Sequence, residues 1–147
     1  MKIKSEKVLK RLENLFPGRY REIPLAENPD KILIKQLAVL KKHVYLQSFV
    51  NGEGDDFVHS HSWKYGTIAV GLLGQVTDYN LGTNETKTIK APYFRYMPPS
   101  TLHSTNNPVN HLSIFIGLGQ KIDDLKGYVA KNKIPWNQHI KKFVKRL

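Results

Sequence analysis

Apolar residues repeat with a helical period near the start of the chain. Five of them fall on one face of a 3.6-residue period: Val8, Leu9, Leu12, Leu15 and Phe16. Ser5 is a suitable N-cap, and Pro17 followed by Gly18 ends the pattern. We therefore predict an amphipathic helix over residues 5–16, followed by a loop over residues 17–30.

Between residues 32 and 118 the pattern changes to short apolar or alternating segments separated by Gly, Pro and Asn. Such segments, with no helix between them, are typical of antiparallel sandwiches and barrels. We predict strands over residues 32–40, 43–50, 67–73, 75–81, 86–90, 93–97 and 111–118. The sequence therefore predicts a mainly β core.

The last part of the chain returns to a helical pattern. Residues 122–131 form one candidate helix, and a second begins near Pro135. One face of this second helix carries Trp136, Ile140, Phe143, Val144 and Leu147. We predict a single domain in which the β core, about residues 32–118, lies between helical flanks at residues 1–31 and 119–147.

Composition narrows the possible chemistry. The chain has 147 residues and no cysteine, which excludes disulfides, thiolate metal sites and cysteine nucleophiles. The net charge of +11 lies in the flanks, because residues 45–120 hold four basic and five acidic side chains. A polyanion such as nucleic acid would suit the flanks. Solvated faces of two helical flanks explain the lysines equally well, and no nucleic-acid motif is present.

The chain shows no sequence feature of a membrane or secreted protein. Its longest apolar stretch, residues 68–76, is too short to span a bilayer and is interrupted by glycines. No apolar segment follows the basic residues at the start, so we find no secretory signal. We therefore expect a cytoplasmic protein without a membrane partner.

Histidine supplies the candidate chemistry. His59 and His61 are two residues apart, so in a strand they face the same side. Two imidazoles on one face can bind one metal ion, and a third ligand must then come from another strand. His103 is the candidate, because it follows a turn marked by Pro98 and Pro99.

This arrangement resembles the cupin superfamily of small double-sheet β-barrels. His59, His61 and Gly74 match the family's first motif, in which His-x-His is followed by a Glu and then a Gly. The second motif, a turn with proline followed by His and often Asn, is matched by Pro99, His103 and Asn107. The resemblance covers about residues 32–118 and implies a cupin barrel, also described as a double-stranded β-helix or jelly roll.

One departure from the cupin pattern affects the metal. Thr67 lies where the family's Glu is expected, so the resemblance implies a three-His metal site made by His59, His61 and His103. Three neutral imidazoles leave coordination positions open for water, substrate or O2. Iron(II) is favoured, with zinc, manganese and nickel as alternatives, since imidazole suits several metals.

Within the superfamily, the chain is most similar to the thiol dioxygenases, which use three-His iron(II). Residues 52–54, Gly-Glu-Gly, precede the His pair, and Ser113 follows His103 on a later strand. The family's Ser-x-His-x-Tyr run is incomplete, because Phe115 and Gly117 replace its His and Tyr. The resemblance thus implies the ligand set and leaves the thiol substrate open.

Three residues are candidates for binding a small anionic substrate. Lys35 is the basic residue nearest to the position of the family's carboxylate-binding arginine. Arg95 is the only basic residue between Lys90 and Lys121, so it is either paired with a carboxylate or directed at an anionic ligand. Tyr65 follows the His pair closely and either lines the ligand site or belongs to the core.

Two classes of function follow from these residues. The first is a metal-dependent dioxygenase-type enzyme acting on a small anionic substrate. The second is a non-catalytic ligand-binding barrel whose basic flanks contact a polyanion. By analogy with single-domain cupins, we expect a homodimer in either case.

Overall fold

The structure, a computed structural model, describes residues 3–25, 28–40, 43–50, 63–80, 83–99, 101 and 103–120. Its helix is α1 (Ser5–Glu13), and its strands are β1 (Tyr20–Leu25), β2 (Asn28–Leu40), β3 (Val44–Phe49), β4 (Thr67–Asn80), β5 (Glu85–Lys90), β6 (Tyr93–Met97) and β7 (His103–Gly117). Within these ranges no helix is long and apolar enough to cross a membrane. The predicted helices at residues 122–131 and 136–147 lie outside the described residues.

The mainly β prediction is confirmed, although several element boundaries differ. β1 lies where a loop was predicted, because Pro24 is tolerated in an edge strand and does not end the pairing with β2. β4 is one strand rather than two, since Gly74 forms an irregularity within it. β7 begins at His103 rather than at residue 111. Its Asn107 and Asn110 have positive φ, so residues typical of turns are accommodated within a strand.

All strand pairs are antiparallel, and β4 is at the centre of the arrangement. The sheet order is β1-β2-β3-β7-β4-β5, and β6 also pairs with β4. β7 therefore runs along one edge of β4, while β6 and β5 share the other edge. Register shifts between β4 and β7 fall between Gly71 and Thr77. Such bulges bend a strand and increase its twist, which lets a sheet curl into a barrel.

Gly74 is required where β4 passes the irregular part of β7. Its φ is +72°, a conformation that favours glycine. A Cβ atom at this position would lie 2.1 Å from the carbonyl oxygen of Val109 and 2.3 Å from that of Asn110. Both neighbours are backbone atoms, so a side chain would force the two strands apart.

Helix α1 covers one face of the sheet. Leu9 of the helix packs with three leucines from β2, β3 and β7: Leu37, Leu46 and Leu112. Alternation along the strands places residues such as Gln36, Gln47 and Ser113 on the opposite, inner face. The outer face thus holds an apolar cluster, while the inner face is rich in polar side chains.

Asn110 supplies the cap that Ser5 was expected to supply. Lys4 is the N-cap of α1, and it makes no capping hydrogen bond with its side chain. The backbone N–H of Ser5 instead donates to Oδ1 of Asn110 at 2.8 Å, and Nδ2 of Asn110 donates to the carbonyl of Ile3. The hydroxyl of Ser5 instead accepts a hydrogen bond of 3.3 Å from the hydroxyl of Ser48 on β3. A residue of β7 therefore fixes where the helix begins.

We expect Leu37→Ala to lower the free energy of unfolding by about 3 kcal/mol, because it opens a cavity in the cluster beneath α1. Leu37 is 0% exposed, whereas Leu40 on the same strand is 60% exposed. Leu40→Ala is therefore the matched control and should cost less than about 0.5 kcal/mol. Urea denaturation of both variants measures the difference. Equal effects would contradict the placement of this cluster.

Candidate functional site

Three charged or titratable side chains meet inside the barrel. Nη2 of Arg95, on β6, donates to Oδ2 of Asp78 at 2.5 Å. Oδ1 of Asp78, on β4, lies 3.0 Å from Nδ1 of His103, at the start of β7. Asp78 and His103 are each 4% exposed. One carboxylate therefore joins three strands in a largely water-free setting.

This contact shows how strongly β4 is bent. Arg95 pairs in register with Ala69, which lies nine residues before Asp78 on the same strand. In a straight strand these positions would be about 30 Å apart, since each residue rises about 3.3 Å. A direct bond between Arg95 and Asp78 is possible only because the two halves of β4 face each other. The site is thus a product of barrel closure.

The two partners of Asp78 determine its charge. Burial alone would raise its pKa, but hydrogen bonds from His103 and Arg95 outweigh burial and lower the pKa below its ordinary value of 3.8. Asp78 is therefore a carboxylate at neutral pH. An ionised buried carboxylate can be maintained only when it is paired in this way.

A second polar group lies beside the first. Tyr93 is two residues before Arg95 on β6, so both face the interior. The Tyr93 hydroxyl lies 3.2 Å from Nε2 of His111 on β7. Its ring lies over Gly71 of β4, where a Cβ atom would come within 2.1 Å of the ring. The absence of a side chain at position 71 allows Tyr93 to reach across to β7.

The contacts of His111 identify its tautomer. Nδ1 accepts a 3.4 Å hydrogen bond from the backbone N–H of Phe49, so the proton of the neutral ring is on Nε2. Burial lowers the pKa of His111 to about 4, which keeps the ring neutral near pH 7. Nε2–H therefore donates to the oxygen of Tyr93. The phenolic hydrogen of Tyr93 is not used in this bond, so Tyr93 can donate it to another acceptor.

Burial is also the largest influence on Tyr93. It raises the pKa of the phenol, while the hydroxyl of Ser113 acts in the opposite direction. Arg95 lowers the pKa of Tyr93 and Asp78 raises it, so the two polar groups influence each other electrostatically. Tyr93 is therefore a neutral hydroxyl, and thus a hydrogen-bond donor, at physiological pH.

Of the three predicted metal ligands, the structure describes one. His59 and His61 lie outside the described residues. His103 is buried, and its Nδ1 lies beside Oδ1 of Asp78, so its role as a metal ligand stays a prediction. Within the ranges that the structure describes, no group of three or more His, Asp or Glu side chains lies together in a metal-binding arrangement. Thr67, which takes the place of the family's Glu, is 0% exposed and supplies no carboxylate.

The three predicted substrate-binding residues are not brought together. Lys35 lies on the helix side of β2, with Nζ 4.0 Å from Oε1 of Glu6. Tyr65 is 57% exposed, and its carbonyl accepts a hydrogen bond from the Tyr96 hydroxyl. Arg95 faces the interior and is paired with Asp78. Their roles in substrate binding stay predictions.

Asp78 and Tyr93 were not predicted as site residues. Asp78 is buried, which the polar residues around it in the sequence do not indicate. The signal available in the sequence was a single acidic residue in one apolar strand and a single basic residue, Arg95, in another. The sequence contains no such signal for Tyr93, because the role of Tyr93 depends on which residues of β7 lie near its hydroxyl.

Comparisons with known proteins bear on the fold. No protein-family profile matches the sequence, and no curated protein matches it. A chain from the structures of DMSP lyases aligns with a TM-score of 0.56 at 12% identity, covering 82% of this chain and 67% of that one. KdgF from Halomonas sp. aligns with a TM-score of 0.51 at 15% identity, covering 69% and 88%.

A cupin-like protein from Thermotoga maritima is a weaker match, with a TM-score of 0.44 at 18% identity, covering 66% of this chain and 81% of that one. The chain therefore shares its fold with the DMSP lyase chain and with KdgF. At these identities the matches show the fold alone. They carry no information about the metal, the substrate or the resemblance to thiol dioxygenases.

We expect the buried His111 to make the barrel less stable in acid. The folded state holds this ring neutral down to about pH 4, whereas an unfolded histidine takes up a proton below about pH 6.5. Its contribution is therefore present above pH 6.5, falls between pH 6.5 and 4, and amounts to about 3 kcal/mol.

Urea denaturation between pH 7.5 and 4 measures this dependence. His111→Gln should flatten the part of the curve between pH 6.5 and 4. His43→Gln, which changes an exposed histidine, is the control and should behave as the wild type does. Identical curves for the wild type and His111→Gln would contradict the assignment.

Proposed function

We propose that this chain is a metal-dependent enzyme in which His59, His61 and His103 hold a divalent ion inside the barrel. The observation that supports the proposal is the setting of His103, which is buried and bound through Nδ1 to a carboxylate. Metal-binding histidines commonly have this arrangement, because the carboxylate fixes the ring and its tautomer. With Nδ1 on Asp78, Nε2 is the nitrogen that would bind an ion.

The charges around His103 favour an anionic substrate. Three neutral imidazoles do not offset the charge of a divalent ion, and Thr67 provides no carboxylate in place of the family's Glu. Asp78, the buried carboxylate beside His103, is already neutralised by Arg95. An ion held here would keep most of its positive charge, which attracts small anions.

We further propose dioxygenase-type chemistry with iron(II) as the preferred metal. A ferrous ion would supply open coordination positions for O2 and substrate. The residues of the barrel would do the rest: Asp78 orients His103, and Tyr93 offers a neutral hydroxyl to the bound molecule. The proposal rests on the ligand set and the buried setting of His103, and it names no thiol as substrate.

A non-catalytic ligand-binding barrel is the second candidate, and one observation favours it. Thiol dioxygenases carry a His and a Tyr at the positions that Phe115 and Gly117 occupy here. Phe115 packs with Trp63 and Met97 in an apolar cluster, and the Trp63 ring fills the space beside Gly117. The residues at this end of the barrel thus pack in an apolar core and do not offer the polar groups of a catalytic site. Metal-dependent O2 uptake with small organic acids separates the two candidates.

Metal content is the decisive measurement. Untagged protein expressed with iron, zinc, manganese and nickel all supplied should contain about one ion per chain. His61→Ala should lose that ion, whereas His43→Ala, which changes an exposed histidine, should keep it. Elemental analysis measures both. Metal-free wild-type protein, or equal metal in wild type and His61→Ala, would overturn the proposal.

Asp78→Asn tests the role of the carboxylate that orients His103. We expect metal affinity to fall about 10- to 100-fold, the usual effect of removing such a partner. Competition with a chelator measures the affinity, and circular dichroism verifies that the variant is folded. A folded variant with unchanged affinity would show that Asp78 does not position a ligand.

A further inference from the structure

A row of side chains crosses the inner face of the barrel at one level. The strand registers pair Arg21 with Gln36, Gln36 with Gln47, and Gln47 with Ser113. Ser113 is in turn opposite Gly71, which is opposite Tyr93. Paired positions in neighbouring strands project from the same face of a sheet. These positions therefore form one continuous line across six strands.

The hydrogen bonds along this row run in one direction. Arginine can only donate, and Nε of Arg21 donates to Oε1 of Gln36 at 2.8 Å. The amide nitrogen of Gln36 then donates to Oε1 of Gln47 at 3.1 Å. The amide nitrogen of Gln47 is therefore the last donor of the chain, next to Ser113. Bonds aligned in this way polarise one another, so the positive charge of Arg21 strengthens this donor.

Ser113 lies at the end of this chain, and its hydroxyl lies close enough to the Tyr93 hydroxyl to lower the pKa of Tyr93. It is 1% exposed, and no atom in the described part of the chain, Tyr93 included, completes a hydrogen bond of good geometry with it. An unsatisfied buried hydroxyl lowers stability, so its presence suggests a role other than folding. The hydroxyl hydrogen of Tyr93 is also available, because the oxygen of Tyr93 accepts from His111.

We propose that Gln47, Ser113 and Tyr93 form a carboxylate-binding subsite. The Gln47 amide, the Ser113 hydroxyl and the Tyr93 hydroxyl offer three donors on neighbouring strands. A carboxylate, which accepts hydrogen bonds at both oxygens, is the complement of such a set. Tyr93 and Arg95 face the same side of β6, and Arg95 contacts Asp78, which contacts His103, so a molecule bound here would extend towards His103.

The substrate class of the proposed enzyme would then be small carboxylates. Binding at this subsite does not require the proposed enzyme activity, and only the reaction of the bound carboxylate rests on the proposed function. The subsite needs no metal. It is therefore tested on protein freed of metal with a chelator, so that its failure is distinct from failure of the metal site.

The test compares acids with amides of the same shape. We expect benzoate and succinate to bind the metal-free wild-type protein. Benzamide and succinamide should bind at least about tenfold more weakly, because their NH2 groups would face the hydrogen-bond donors of the subsite. Dissociation constants come from chemical-shift titration of the labelled protein. Failure of both acids to bind, or equal binding of acids and amides, would overturn the subsite.

Two variants locate the binding within the barrel. Ser113→Ala and Tyr93→Phe should each weaken benzoate binding about tenfold. Tyr96→Phe, which removes a hydroxyl from a half-exposed ring on the outer face of β6, should leave it unchanged. Equal effects of Tyr93→Phe and Tyr96→Phe would place the ligand elsewhere.

Thermal unfolding distinguishes a binding role for Ser113 from a structural one. Loss of an unsatisfied hydroxyl should leave the melting temperature of Ser113→Ala unchanged or raise it, while affinity for benzoate falls. A lower melting temperature with unchanged affinity would show that the hydroxyl serves the fold, and would overturn the inference.

Discussion

The bond between Arg95 and Asp78 is the constraint on which the interior depends. An ionised carboxylate inside a barrel is costly unless it is paired, and Asp78 has two partners on two other strands. Those partners can meet it only when β4 is bent and both β6 and β7 are in their observed registers. A shift of one residue in either register would direct Arg95 or His103 to the other face of the sheet and remove one of the two partners of the carboxylate. The buried carboxylate therefore penalises both of these register shifts.

The outer face of the sheet contributes most to stability, whereas the inner face carries the polar groups suited to chemistry. Beneath α1, the leucine cluster is apolar and fully packed, and Asn110 fixes the start of the helix from within β7. Inside the barrel, buried polar atoms of Thr67 and Ser113 have no hydrogen-bond partner among the described residues. Burying polar atoms in this way is unfavourable for folding. The apolar outer cluster offsets this cost, so the interior can retain groups suited to a ligand.

The sequence predicted the class of the fold because alternation and turn residues are local signals. It did not predict the start of β7, since Asn107 and Asn110 are typical of turns, and β7 continues past them only because their neighbours pair with β4. Arg95 was recognised as either paired or directed at a ligand, but its partner could not be identified. Asp78 is 17 residues away in sequence, and the bend in β4 that joins them has no local pattern. The Gln36–Gln47–Ser113 row could not be predicted for the same reason, because it exists only through the registers of two strand pairs. His59 and His61 remain a prediction from motif spacing.

Gly71 and Tyr93 show how the residue at one position can limit which residues are accepted at another during evolution. The Tyr93 ring occupies the volume that any Cβ atom at position 71 would need. While the tyrosine keeps this position, any other residue at position 71 would have to displace its ring, even though glycine there has no unusual backbone conformation. A lineage that replaced Tyr93 with a small residue would release position 71 at once, and mutations could then fill the gap from the other strand. Return to tyrosine would be blocked after such a change, so loss of the phenol from this barrel would be difficult to reverse.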